Sequence, residues 1–187
     1  RTINSLIRSA KELIKKYKSL EVKFTIIDVC SAEADVNRIL SKLSNEGFKT
    51  QRFKIEERKD AKNHMVSTMD SIKQSFKCAK NCNDLIYFVE DDYIHKVEAL
   101  TEMLFAYEKF SSIMKGEIFL LSTDYPYLYK NLNSSNILIG ENSHWRTVKE
   151  SLLTFMTSRK MIEKHYNKLT EMATIESSPF EKNLHEI

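Results

Sequence analysis

Glycine and proline are scarce in this chain of 187 residues, which has three of the first and two of the second. It contains no G-x-x-x-x-G-K-[ST] loop and no G-x-G-x-x-G turn, so a P-loop and a Rossmann dinucleotide fingerprint are both excluded. A nucleotide bound here must be held another way, and carboxylates working through a divalent cation are the obvious substitute. Cysteine is sparse too: Cys30, Cys78 and Cys82 make an odd count without a dense framework. Free thiols in a reducing, cytoplasmic compartment are the expectation. Cys78 and Cys82 lie four apart, with no other Cys/His pair at zinc spacing, so they read as small half-buried side chains. Charge of one sign is lacking as well, because 29 basic residues face 26 acidic ones for a net charge of +3. Nucleic acid is therefore not the expected partner. No apolar run exceeds five residues, far short of a bilayer span, and no secretory signal pattern opens the chain. Peripheral contact with an anionic membrane surface stays open.

What is present is the composition of a globular protein, 42% hydrophobic and 29% charged. Ile3, Leu6, Ile7, Ala10, Leu13, Ile14 and Tyr17 keep helical spacing and predict an amphipathic opening helix. Val22-Lys23-Phe24-Thr25-Ile26-Ile27 reads as a strand that ends at Asp28. Ser31 can cap the next helix, which carries Val36, Ile39, Leu40 and Leu43, and Gly47 suits its C′ position. A short strand is expected over 48–55. Asp60 is placed to cap a helix carrying Met65, Met69, Ile72 and Phe76, a stripe that reads as core. Leu85-Ile86-Tyr87-Phe88-Val89 predicts a strand covered on both faces. A helix over 96–114, a strand at 118–121, a tyrosine- and asparagine-rich loop over 124–136, a short strand at 137–140 and a helix over 156–172 complete the pattern. Alternating helix and strand predicts an α/β fold with a mainly parallel sheet sandwiched between helices.

Two of these strands end in acid. Ile27 runs into Asp28, and Val89 runs into Glu90-Asp91-Asp92. Ligands of open α/β sheets bind beyond the carboxyl ends of the strands, so both acids belong on one functional edge. Three adjacent carboxylates repel one another, and a hard cation such as Mg²⁺ or Mn²⁺ relieves that repulsion while bridging to phosphate oxygens. The competing reading is that these acids are solvated loop residues or a cap of the following helix.

The segment Phe88-Val89-Glu90-Asp91-Asp92-Tyr93-Ile94-His95, with Ala99-Leu100 downstream, resembles the D-x-D-type segment of family-2-like GT-A glycosyltransferases. The resemblance implies a GT-A-like fold and a metal-dependent, inverting transfer of a sugar from a nucleotide-diphosphate donor to an acceptor hydroxyl. By position it makes Asp92 the metal ligand, assisted by Asp91, which also neighbours the ribose or phosphate. Glu90 supports the nucleotide-sugar site. Ile26-Ile27-Asp28-Val29-Cys30-Ser31 resembles the family's second strand, commonly D-D-x-S, which brings Asp28 into the nucleotide-sugar site; Val29 stands where the second aspartate is usual. His144-Trp145-Arg146-Thr147, followed by Ser151 and Thr154-Phe155, is similar to an acceptor-side segment. Trp145 offers a face for stacking a sugar ring, Arg146 can pair with phosphate, and His144 can hydrogen-bond or ligate on the acceptor side. A core tryptophan with a surface arginine is the competing reading.

The resemblance further implies a carboxylate base in the C-terminal half. Glu181, after Ser178-Pro179-Phe180, is the first candidate and Glu176 the second; His185 could add a ligand. The chain is expected to form a single domain over 1–187, with a nucleotide-sugar half at 1–95 and an acceptor half at 96–187. Because it opens directly into a helix at Arg1, the family's first strand is expected to lie before that residue. A receiver domain also uses adjacent acids at a strand end. Here, however, some eighty residues precede the triplet, and Asp124, the only later aspartate, follows after one helix and one strand. A nucleotidyltransferase of related sheet architecture and a degenerate GT-A domain that only binds remain as alternatives.

Overall fold

The opening helical pattern forms helix α1, Thr2–Lys16, whose buried face is Leu6, Ile7, Ala10 and Leu13 together with Ser5 and Ser9. In the computed structural model, residues 1–56, 64–130, 134–149 and 154–171 are described. Strand β1, Lys23–Val29, leads to helix α2, Glu33–Asn45, and strand β2, Lys49–Ile55. Gly47 takes a positive φ of 84° after α2, the left-handed residue expected at C′. The cap at the other end differs from expectation. Ala32 is the N-cap and no side chain caps the helix; the backbone N–H of Ser31 instead donates to Asp28 Oδ1 at 3.1 Å.

Helix α3, His64–Ala79, precedes strand β3, Leu85–Phe88, and helix α4, Ala99–Met114. Asp60, read as the cap of α3, lies outside the described residues. Helix α4 starts three residues later than the apolar spacing suggested. Its first turn is capped from α1: Ser9 Oγ accepts the N–H of Leu100 at 2.9 Å, and Ser5 Oγ accepts that of His95 at 2.9 Å. Strand β4, Leu120–Leu121, a 3₁₀ turn at Pro126–Tyr129, strand β5, Ile137–Ile139, strand β6, His144–Arg146, strand β7, Phe155–Ser158, and helix α5, Arg159–Glu171, follow.

The chain is α/β, with apolar clusters on both sides of its strands. On one side α1 and α4 pack with Phe24, Ile26, Leu85, Tyr87, Val89 and Leu120. On the other, Ile72 and Phe76 of α3 and Ile162 and Leu169 of α5 pack with Ile86, Phe88 and Phe155. Strand β3 thus sends alternate side chains to opposite layers, which is why its sequence is apolar without a break.

The mainly parallel sheet that was expected is not formed among the described residues. There only β1 and β2 pair in parallel, from Lys23 opposite Lys49 to Val29 opposite Ile55. β7 lies between β3 and β4 and is antiparallel to both, with Phe88 opposite Phe155 and Leu120 opposite Met156. β5 and β6 form a separate antiparallel hairpin. Residues 155–158, expected to open a helix, are this reversed strand, and the helix begins at Arg159. Among the described residues, then, the strands form three small sheets, and no helix is long and apolar enough to cross a membrane.

Candidate functional site

At the carboxyl end of β3 the chain leaves the core through Val89 and turns at Asp91 and Asp92. Glu90, Asp91 and Asp92 are all exposed. The turn is tied at its base, where the N–H of Glu90 donates to Thr154 Oγ1, just before β7, at 3.4 Å. Beyond it, Tyr93 and Tyr125 share a hydrogen bond between their hydroxyls, joining the end of β3 to the loop after β4. Burial and the neighbouring Tyr125 push the Tyr93 hydroxyl above its ordinary pKa, so it stays a protonated donor at neutral pH. Tyr87 OH lies 3.0 Å from His95 Nε2 and 3.2 Å from Ser122 Oγ, a second tie between the same two strand ends. Burial raises the Tyr87 pKa to about 12 and lowers that of His95, which leaves both neutral at pH 7.

No group of three or more His, Cys, Asp or Glu side chains close enough to share an ion occurs among the described residues. The set around Asp91 and Asp92 fits a different mode. Mg²⁺-type cations are commonly held by one or two carboxylates, with phosphates and water supplying the other oxygens. Both side chains are exposed and no described residue pairs with either, so both can take that role.

Asp28 sits on the same kind of edge, at the end of β1, but is placed differently from its expected role. It is 3% exposed, and its carboxylate accepts from Ser31 N–H and from Arg52 Nε and Nη2, at 3.2 and 2.5 Å. Burial opposes its charge, and these bonds overcome that, giving a net lowered pKa. Arg52 also meets Glu33 at 2.7 Å, and Lys54 joins at 2.7 Å. Asp28 therefore holds Arg52 and the turn at Val29-Cys30-Ser31. Cys30, in that turn, is left-handed with φ 58°.

The His144-Trp145-Arg146 segment is strand β6. Trp145 is half-buried, and its indole Nε1 donates to Glu102 Oε1 at 2.9 Å while Phe110 lies edge-on at 6.2 Å. That indole is an anchor in the core, which favours the plainer of its two readings. His144 is exposed. Arg146 donates to Asp124 through Nε and Nη2, at 3.1 and 2.6 Å, and its guanidinium lies 4.5 Å from the centroid of the Tyr129 ring. Sequence reasoning missed Asp124, Tyr93, Tyr125 and Tyr129 as members of this edge. For Asp124, Tyr125 and Tyr129 the signal was the tyrosine-rich loop after β4, which read only as a connection. Ser151, Glu176, Ser178-Pro179-Phe180, Glu181 and His185 lie outside the described residues.

No protein-family model, no curated protein and no solved structure matches this chain.

Proposed function

We propose that the protein is a metal-dependent glycosyltransferase of the GT-A type that moves a sugar from a nucleotide-diphosphate donor to an acceptor hydroxyl. One observation carries the reading: an apolar strand covered on both faces delivers two exposed aspartates, Asp91 and Asp92, which pair with no described residue, to a turn braced by Thr154, Tyr93 and Tyr125. Asp92, with Asp91, would hold Mn²⁺ or Mg²⁺, and the cation would supply charge stabilisation for the departing diphosphate. Glu90 supports the turn. Glu181, with Glu176 second, remains the proposed base.

The finer architecture belongs to the same proposal. The edge of β1 away from β2 and the edge of β3 away from β7 have no partner strand among the described residues. Helix α1 packs in one cluster with side chains from both strands, and α3 touches β1 while its Phe76 meets Phe88 at 5.3 Å. One further strand between β1 and β3 would join the pieces into a GT-A-like sheet, parallel except at β7.

A donor at about a hundred times its Kd adds about 2.7 kcal/mol to the native state. In a chain of this size that raises the melting temperature by about 5–10 °C. A screen of UDP-, GDP-, dTDP-, CDP- and ADP-sugars with and without Mn²⁺ should find one that gives such a shift only with the metal. Asp92→Ala should abolish it while melting at the wild-type temperature without ligand. No shift from any donor, or equal donor affinity in Asp92→Ala at saturating Mn²⁺, overturns the reading. A binding-only domain is the second reading, favoured by the occupied carboxylate of Asp28; metal-dependent donor hydrolysis separates the two.

A further inference from the structure

We infer that the exposed ring of Tyr129, with Asp124 and Arg146 at its side, is a saccharide subsite that receives the acceptor; this rests on the glycosyltransferase reading. Tyr129 is 64% exposed, yet it is fixed at two points. Its hydroxyl donates to Asp124, and the Arg146 guanidinium lies 4.5 Å from its ring centroid. Asp124 is held in turn by the two-point pair with Arg146. A surface aromatic held this firmly adds little to a core, because most of it stays in water.

The chemistry of the group matches a sugar. The Arg146 guanidinium lies over one face of the ring, and the opposite face of this 64% exposed ring can accept the axial C–H groups of a pyranose. A carboxylate and a guanidinium beside it accept from and donate to neighbouring hydroxyls, fixing orientation as a few polar groups do in an otherwise apolar site. A phosphate fits less well. Asp124 already neutralises Arg146 and is held below the ordinary carboxylate range, first by that arginine, so it stays anionic and repels a diphosphate. This moves Arg146 from the donor phosphates to the acceptor.

Position favours the same assignment. Tyr125 follows Asp124, Tyr93 follows Asp92, and the two tyrosine hydroxyls are in contact. The subsite is thus one residue from the bond that also borders the proposed metal ligand. An acceptor on Tyr129 would lie beside the donor without sharing its ligands.

Saturation-transfer NMR with linear trisaccharides of glucose, galactose, mannose and N-acetylglucosamine tests this, using the intact chain without nucleotide or metal. At least one trisaccharide should give a signal strongest at the C–H groups of one ring face. Tyr129→Ala should bind it about tenfold more weakly or worse, the loss of about one stacked ring. Tyr129→Phe, which keeps the face, should stay close to wild type. If no trisaccharide binds, or if Tyr129→Ala binds as wild type does, the subsite is wrong. Metal-dependent UDP binding without trisaccharide binding would sink the subsite and spare the donor site. Trisaccharide binding without any nucleotide binding would do the reverse.

Discussion

Glu102 is the residue whose replacement should say most about how the hairpin that carries Arg146 is held. It lies on α4, 6% exposed, and accepts three hydrogen bonds from the β5–β6 hairpin: Trp145 Nε1 at 2.9 Å, Asn142 N–H at 2.7 Å and Glu141 N–H at 3.2 Å. Glu102→Ala removes the acceptor for all three. The half-buried indole donor is left unpaired, at a cost of about 1–3 kcal/mol, while the two turn amides regain water and lose about 0.5–1 kcal/mol each. The sum is about 2–5 kcal/mol. Trp145 is the only tryptophan, so its fluorescence reports on this hairpin alone. With a urea slope of about 2 kcal/mol per molar, the fluorescence midpoint should fall by about 1–2.5 M in Glu102→Ala. It should also precede the loss of far-UV ellipticity. Glu102→Gln, which keeps one acceptor oxygen, should fall between. A midpoint within about 0.3 M of wild type in the alanine variant, or coincident transitions in both variants, would refute the idea that this carboxylate moors the hairpin.

Gly140→Ala should be nearly as damaging, because a Cβ there would stand 2.0 Å from Glu102 Oε1 and 2.6 Å from Trp145 Nε1. A loss of about 1–3 kcal/mol is expected from the overpacking, read by the same urea titration. Gly47→Ala meets nothing within 4 Å and should lose only about 1 kcal/mol for its left-handed backbone. Phe155→Ala empties a fully buried site 4.8 Å from Phe88 and 5.6 Å from Phe119, and should cost about 3–5 kcal/mol. Acid should unravel the Asp28–Arg52–Glu33 group. The Arg52 and Lys54 hydrogen bonds lower the Glu33 pKa from 4.5 to about 2, and the Asp28 pKa is lowered from 3.8. Depressed carboxylate values stabilise above the unfolded pKa and lose that contribution as pH falls through the folded one. Wild-type melting temperature should therefore hold above about pH 4.5 and drop toward pH 2 from this source, while Arg52→Met starts lower and converges with it. A constant offset between the two curves across that range would contradict the assignment.

Local pattern carried the helices and most strands, and failed where pairing is long-range. The spacing of Leu6, Ile7, Ala10 and Leu13 was enough to place α1, because a helix writes its buried face into neighbouring turns. It did not reveal that Ser5 and Ser9, between those residues, cap the loop and helix that follow β3. That role depends on a segment some ninety residues away. β7 was missed for a related reason. Thr154, Phe155, Met156, Thr157 and Ser158 are all buried, but three of them are hydroxyl residues that carry no apolar run. Thr157 Oγ1 donates to the Ile118 carbonyl at 2.8 Å, a satisfied buried polar group that no periodicity announces.

The candidate site divides along the same line. Asp91 and Asp92 were legible because an apolar strand ending in acid is a local signature. Asp28 was legible as the end of a strand, but its role depends on Arg52 of the neighbouring strand, which stands opposite Ile26, two residues from Asp28 along β1. The Tyr93–Tyr125 bond joins the ends of β3 and β4, which β7, lying reversed between them, brings to one edge, while the Asp124–Arg146–Tyr129 group joins the loop after β4 to the separate β5–β6 hairpin. A reading that took residues 155–158 for helix could not place the ends of β3 and β4 side by side, since the reversed β7 is what joins those two strand ends into a single lip.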